Sequence, residues 1–476
     1  MPRGLAVDLC FEDAVDLARL IRSRKVSAAE LMSASLAQID RVNPRVNAVC
    51  TLADRDELLR QARAADRRLA RSGPSGPLHG LPHAVKDLVP TAGIRTTFGS
   101  PIYKNHVPAV DALLVERLKT AGAIVIGKTN TPEFGAGSQT FNAVFGTTRN
   151  PYDLAKTSGG SSGGAAVAVA CGMTPLADGS DLGGSLRNPA SFCGVVGFRP
   201  SIGRVPVWPR TQPWTSLSVE GPIARTVRDV ALLLSVMSGP DPRDPAAIDQ
   251  PGSIFRGSLR RNVRKVRVAW SRNLGGYPVE PVVTTACDSA RPVFAELGCT
   301  VEDAEPDLHE ADDVFRTLRA WSFAHDRGDD YRSSRHLMKD TVVWNVEQGL
   351  TLSAAAIARA ETMRAVLHER ARLFFERYEF LILPVSQVPP FSVEVEWIKT
   401  INGRAMNTYI DWMATCYVIS VTGLPAISVP CGFTPGGLPV GLQIVGGHRR
   451  DRDVLEMAYA FERATRINKR MRPPTI

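Results

Sequence analysis

Three segments of the chain concentrate amine, hydroxyl and glycine groups. The first is Gly80–Leu81–Pro82–His83–Ala84–Val85–Lys86–Asp87–Leu88, where a lysine stands in a mostly apolar, strand-like run. Burying a charged lysine is expensive, so such a residue either snorkels to the surface or is kept for chemistry. The second is Thr157–Ser158–Gly159–Gly160–Ser161–Ser162–Gly163–Gly164. It reads as a flexible linker, as a phosphate loop without the required Lys-Ser/Thr ending, or as a G-x-S-x-G nucleophile elbow. The apolar run at 165–170 weakens the linker reading, and the turn-like stretch 151–156 stands where an elbow needs a strand. The third is Asp178–Gly179–Ser180–Asp181–Leu182–Gly183–Gly184–Ser185–Leu186–Arg187–Asn188–Pro189–Ala190. Two glycines ahead of Ser185 let backbone N–H groups converge on a small space, which is what an oxyanion hole requires. Taken alone, that segment is read equally well as a polar turn.

The surrounding pattern supplies elements to hold these segments. Ser27 and Glu30 have capping-box spacing, and Leu31, Met32, Leu36 and Ile39 repeat at helical intervals, so the first seventy residues read as helical. Strand-like runs at 83–88 and 123–127 alternate with helix-like runs at 111–121, 162–170 and 226–237. Such alternation argues for an α/β core. Further strands are predicted at 266–270, 300–304, 380–385, 426–430 and 439–445, with a helix over 281–297. This organisation predicts an N-terminal helical region over 1–70, a core over 71–254, a mostly helical insertion over 255–378 that shapes a pocket, and a return to the core over 379–476.

Composition narrows the function classes. The chain has 476 residues and a formal charge of +9, but its basic residues are mostly arginines interleaved with acids. The densest basic stretch, 256–267, reads as a solvated face, and no nucleic-acid fold signature accompanies it. Eight cysteines are widely spaced, with no C-x-x-C and no zinc-like Cys/His pairing, as in free buried thiols. The stretch 1–16 lacks a charged-then-apolar leader, and no apolar run approaches the ~20 residues of a membrane helix. The expectation is a cytoplasmic protein that binds neither membrane nor nucleic acid.

Together the three segments resemble the amidase signature family, in which G-G-S-S-G-G precedes G-G-S-[IL]-R at a fixed interval. Ser161 and Ser185 lie 185 − 161 = 24 positions apart, as that family's two catalytic serines do. Gly127–Lys128–Thr129–Asn130, Cys193–Gly194–Val195–Val196–Gly197, Gly221–Pro222–Ile223–Ala224–Arg225–Thr226 and Gly437–Leu438–Pro439–Val440–Gly441–Leu442–Gln443 extend the likeness over nearly the whole chain. The resemblance implies a central mixed β-sheet flanked by helices on both faces. It implies Ser185 as nucleophile, Ser161 as proton relay with a cis bond to Gly160, and Lys86 as base. The amides of Leu182, Gly183, Gly184 and Ser185 would form the oxyanion hole, and Ser162, Asp181, Arg187 and Asp87 would support it. No metal or organic cofactor is implied.

The chain departs from the family pattern at Ala165, Ser158 and Ser420, where serine, proline and asparagine are common; no catalytic group is lost. The substrate expected is a small-molecule amide with an aryl or hydrophobic group, with anilides, esters and carbamates open. Trp208, Trp214, Trp321, Trp344 and Trp412 are candidates to wall its pocket. A histidine-based hydrolase using His448, an ammonia-supplying component of a tRNA-amidating complex, and a scaffold without chemistry are the competing readings. A homodimer is the default assembly.

Overall fold

The computed structural model describes residues 9–467 and 471–474, so the first half of the stretch read for a leader, 1–8, lies outside the described residues. One mixed sheet of eleven strands runs through the molecule. In chain order these are β1 (Val49–Leu52), β2 (Pro82–Lys86), β3 (Ile124–Thr129), β4 (Leu176–Asp181), β5 (Val196–Arg199), β6 (Val219–Ala224), β7 (Arg267–Trp270), β8 (Thr300–Asp303), β9 (Phe380–Pro384), β10 (Ala426–Phe433) and β11 (Pro439–Gly446). Their spatial order is β1-β3-β2-β4-β6-β5-β10-β11-β9-β7-β8. The strands β3, β2 and β4 are mutually parallel, whereas β6, β5, β10, β11 and β9 alternate in direction. Helices cover both faces, as the resemblance implied.

Local sequence accounts for most of this. The Ala28–Val46 helix begins at a capping box, in which Glu30 N donates to Ser27 Oγ and Ser27 N donates to Glu30 Oε2. The Gly163–Ala170 helix has every residue buried. It can sit there because its residues are small: a Cβ on Gly164 would lie 2.3 Å from Asn130 N. At the far edge, β7 and β8 extend the same sheet, and the three helices Ala311–Ser334, Asp340–Leu350 and Ala354–Arg377 follow β8.

Two sequence expectations change. The helix expected over 281–297 is two, Pro281–Asp288 and Arg291–Glu296. Pro292 has no N–H to continue the first helix and starts the second instead. Within the first seventy residues, β1 interrupts the helices; it is four residues long and pairs with β3 across an irregularity between Val49 and Thr51. Among the described residues no helix is long and apolar enough to cross a membrane.

Candidate active site

The parallel strands β2 and β4 end side by side, and the three chemistry-bearing segments meet there. Lys86 is the last residue of β2 and is fully buried. Its Nζ donates to Ser161 Oγ at 2.8 Å, to Ser162 Oγ at 2.9 Å and to Ser180 Oγ at 3.0 Å. Three acceptors match the three protons of an ammonium; once deprotonated, the amine keeps two donors and turns a lone pair to the third hydroxyl. Burial lowers the Lys86 pKa from 10.5 to about 7, against the smaller opposing pull of Asp178, Asp181 and Glu220. No carboxylate lies within ion-pairing distance of Nζ among the described residues.

The Ser161 loop is fastened from behind. Ser138 Oγ donates to the Gly160 carbonyl at 3.0 Å, and Thr140 Oγ1 donates to the Gly159 carbonyl at 2.9 Å. The Gly160–Ser161 peptide is cis. Ser162 N then donates to the Ser185 carbonyl at 3.2 Å, which ties this loop to the turn carrying Ser185.

That turn is clamped by Asp181. Its carboxylate accepts from Gly184 N at 2.8 Å, Leu186 N at 3.2 Å, Arg187 Nε at 3.0 Å and Arg199 Nη1 at 3.0 Å. Burial alone would raise the Asp181 pKa, but the two guanidiniums outweigh it and hold the carboxyl well below the usual range. Arg187 continues to the Cys416 carbonyl, Gln443 Oε1 and Ser420 Oγ. Ser420, where the family often has asparagine, thus supplies an acceptor to that guanidinium. Gly184 has φ +118°, and a Cβ there would lie 2.5 Å from Cys416 Cβ, so the turn needs glycine at this position. Breaking a buried charge network by removing one member costs about 3–5 kcal/mol. Arg187→Ala is therefore expected to lose about that much stability in urea unfolding; a loss under ~1 kcal/mol would show that the clamp does not hold the turn.

The clamp refines one expectation. Gly184 N–H is committed to Asp181, whereas the N–H groups of Leu182, Gly183 and Ser185 have no partner among the described residues. Asp87, expected to support the site, instead holds the following loop through Thr97 N at 3.1 Å and Thr97 Oγ1 at 2.5 Å. The second buried lysine, Lys128, binds the Val89 carbonyl and Thr91 Oγ1.

Several participants went unread in the sequence. Asp178, on β4, accepts from Lys86 N at 3.2 Å and meets His83 Nε2 at 3.0 Å, so one carboxylate grips β2 at both His83 and Lys86. Ser180 sits two residues on. Polar residues at alternate positions of a strand share a face, and that alternation was the available signal. Arg199 and Gln443 come from β5 and β11, and only the sheet order brings them to the Asp181–Arg187 pair.

A cavity of about 240 Å³ opens beside the cluster at Ser180 and Leu182, walled also by Phe134, Phe323, Arg210 and Glu220. A second, of about 180 Å³, shares Leu182 and Arg210 with it and adds Trp214 and Trp321. Of the other tryptophans, Trp412 packs in the core against Phe192 and Phe391, Trp344 packs on Tyr409, and Trp208 carries Arg243. His448 packs edge-on against His368, with no part in the Lys86 cluster. A larger cavity of about 760 Å³, near Arg19 and Phe255, touches none of these groups, and its size has no bearing on the chemistry.

A family model described as Amidase matches residues 30–455. The chain belongs to the amidase signature family. As a member it is a hydrolase acting on amide C–N bonds. It is 36% identical over 452 residues to an acylamidase of Rhodococcus erythropolis, covering 94% of each chain. It is 35% identical over 492 residues to a glutamyl-tRNA(Gln) amidotransferase component of Moorella thermoacetica, covering 98% of this chain and 99% of that one. The solved structure of a bacterial aryl acylamidase of this family superposes with a TM-score of 0.91 at 30% identity, over 98% of each chain. This amidase signature hydrolase therefore shares its architecture with that aryl acylamidase over nearly its whole length.

Proposed function

We propose that this enzyme hydrolyses aryl or hydrophobic amides through an acyl-enzyme on Ser185, with Lys86 as base and Ser161 as relay. The observation that carries the reading is the Lys86 amine, buried, without a carboxylate partner among the described residues and surrounded by hydroxyls. Near neutral pH a substantial fraction of it is unprotonated. The lone pair takes the Ser161 proton as Ser161 takes that of Ser185, and Ser185 Oγ attacks the amide carbonyl. Charge developing on the carbonyl oxygen is met by the N–H groups of Leu182, Gly183 and Ser185; one such donor typically carries about 10²–10³ in rate. The proton returns through Ser161 to the departing nitrogen, which leaves as an amine, and water then cleaves the ester on Ser185.

Trp214, Trp321, Phe134 and Phe323 around the two cavities support an aryl or bulky apolar group over a small aliphatic one. The similarity to the acylamidase points the same way. The similarity to an amidotransferase component favours a second reading, supply of ammonia to a partner enzyme. One experiment separates them: hydrolysis of a primary aryl amide, an aryl anilide and a matched carbamate by the purified chain, without ATP or partner, across pH. On the first reading kcat/KM rises with pH as Lys86 loses its proton and levels off above about 7. A profile flat through that region would rule out Lys86 as the base. No turnover by the isolated chain would favour the partner-dependent reading.

A further inference from the structure

The wall of the inner cavity carries two ionisable side chains that the reaction above does not use. Arg210 lines both cavities, and its guanidinium has no hydrogen bond or ion pair among the described residues. Glu220 lies opposite Ser180 in the antiparallel β4–β6 pair, so the two side chains share a face of the sheet. The Glu220 carboxyl is likewise without a hydrogen bond among the described residues. Gln212, on the same wall, has a buried Oε1 with no partner.

The other charges of these cavities are occupied or open to solvent. Asp326 accepts from Thr211 Oγ1 at 2.9 Å, and Arg327 pairs with Asp330 at 3.3 Å. Arg364 donates to the Val421 carbonyl at 3.0 Å and to Ser216 Oγ at 2.9 Å, while Glu361 is exposed. Arg210 is thus a cation held against a cavity wall with its planar donor fork unfilled. Burial raises the Glu220 pKa to about 8, against the weaker opposing pull of Arg210 and Lys86, so near neutral pH the carboxyl is mostly uncharged and does not cancel that cation. A guanidinium fork matches a carboxylate bidentately, and a protonated carboxyl beside it can donate a further hydrogen bond.

We propose that Arg210, with Glu220 and Gln212 beside it, forms an anion subsite that selects amides whose acyl arm ends in a carboxylate. The arm would pass Leu182 from the reacting carbonyl and reach Arg210 within the inner cavity. Trp214 and Trp321 then flank the outer part of the path. This inference rests on the reading of Ser185 and its neighbouring cavities as the substrate site.

The test compares glutaryl para-nitroanilide with hexanoyl para-nitroanilide, an uncharged analogue of similar length, in wild type, Arg210→Gln and Arg210→Lys. Wild type should prefer the glutaryl substrate in kcat/KM. That preference should fall about 10- to 100-fold in Arg210→Gln and be partly kept in Arg210→Lys. Each preference is a ratio within one protein, so a general loss of activity cancels. If Arg210→Gln does not fold, the wild-type ratio and competitive inhibition by free glutarate against hexanoate decide the matter. Ser185-dependent turnover of the hexanoyl substrate without a glutaryl preference, or a ratio unmoved in Arg210→Gln, overturns the anion subsite and leaves the reading of Ser185 intact. Hydrolysis of both substrates at full rate by Ser185→Ala overturns the site itself.

Discussion

Ser185→Ala will abolish amide turnover, with a loss on the order of 10⁶-fold, as removal of a nucleophile that acts within a unit does. The protein should remain folded. The Ser185 hydroxyl is half-buried and makes no hydrogen bond among the described residues, so its loss orphans no buried partner. The contact that ties this turn to the Ser161 loop runs through the Ser185 carbonyl, which alanine keeps. A change of less than about 1 kcal/mol in stability is expected beside the lost turnover. Activity within tenfold of wild type, in a variant with an unchanged melting curve, would remove Ser185 from the mechanism.

Lys86→Met is expected to lose nearly as much activity, and the double variant with Ser185→Ala little more than either alone, because relay and nucleophile act together. Its stability should move the other way. The folded-state pKa of Lys86 is depressed to about 7 from 10.5. The unfolded chain therefore binds this proton more tightly. The penalty for burying the group is full below about pH 7 and shrinks as pH rises toward 10.5, so this group makes stability increase with pH over that window. Methionine fills a similar volume without that penalty, offset in part by the hydrogen bonds lost at Ser161, Ser162 and Ser180. An inactive variant that melts no lower than wild type at neutral pH is the expected outcome. Paired loss of activity and of several kcal/mol would instead mark Lys86 as a structural residue.

How far this could be read from residues alone differs by element. Short-range chemistry was legible: the capping box at Ser27, the apolar strand-like run 83–88 around Lys86, of which the strand takes Pro82–Lys86, and the paired glycines ahead of Ser185 each carry their own physical reason. Gly164 and Gly184 are the sharpest cases, since the close approach of Asn130 and Cys416 excludes any side chain there. What stayed hidden was long-range. Arg199, Ser420 and Gln443 reach the Asp181–Arg187 pair from three other elements, and only the sheet order brings them there. Asp87 shows the converse. It adjoins Lys86 in sequence, yet successive residues at a strand end point apart, and its carboxylate serves the Thr97 loop.

The most direct measurement of the central claim is to quench the enzyme during turnover of an activated aryl ester and map the acyl group by peptide mass spectrometry. Esters acylate faster than amides, so the covalent intermediate accumulates before water removes it. The account requires one acyl group, on Ser185, formed far more slowly in Lys86→Met and absent in Ser185→Ala. An acyl group on Ser161 or Cys416, or turnover with no covalent intermediate on Ser185, would contradict it.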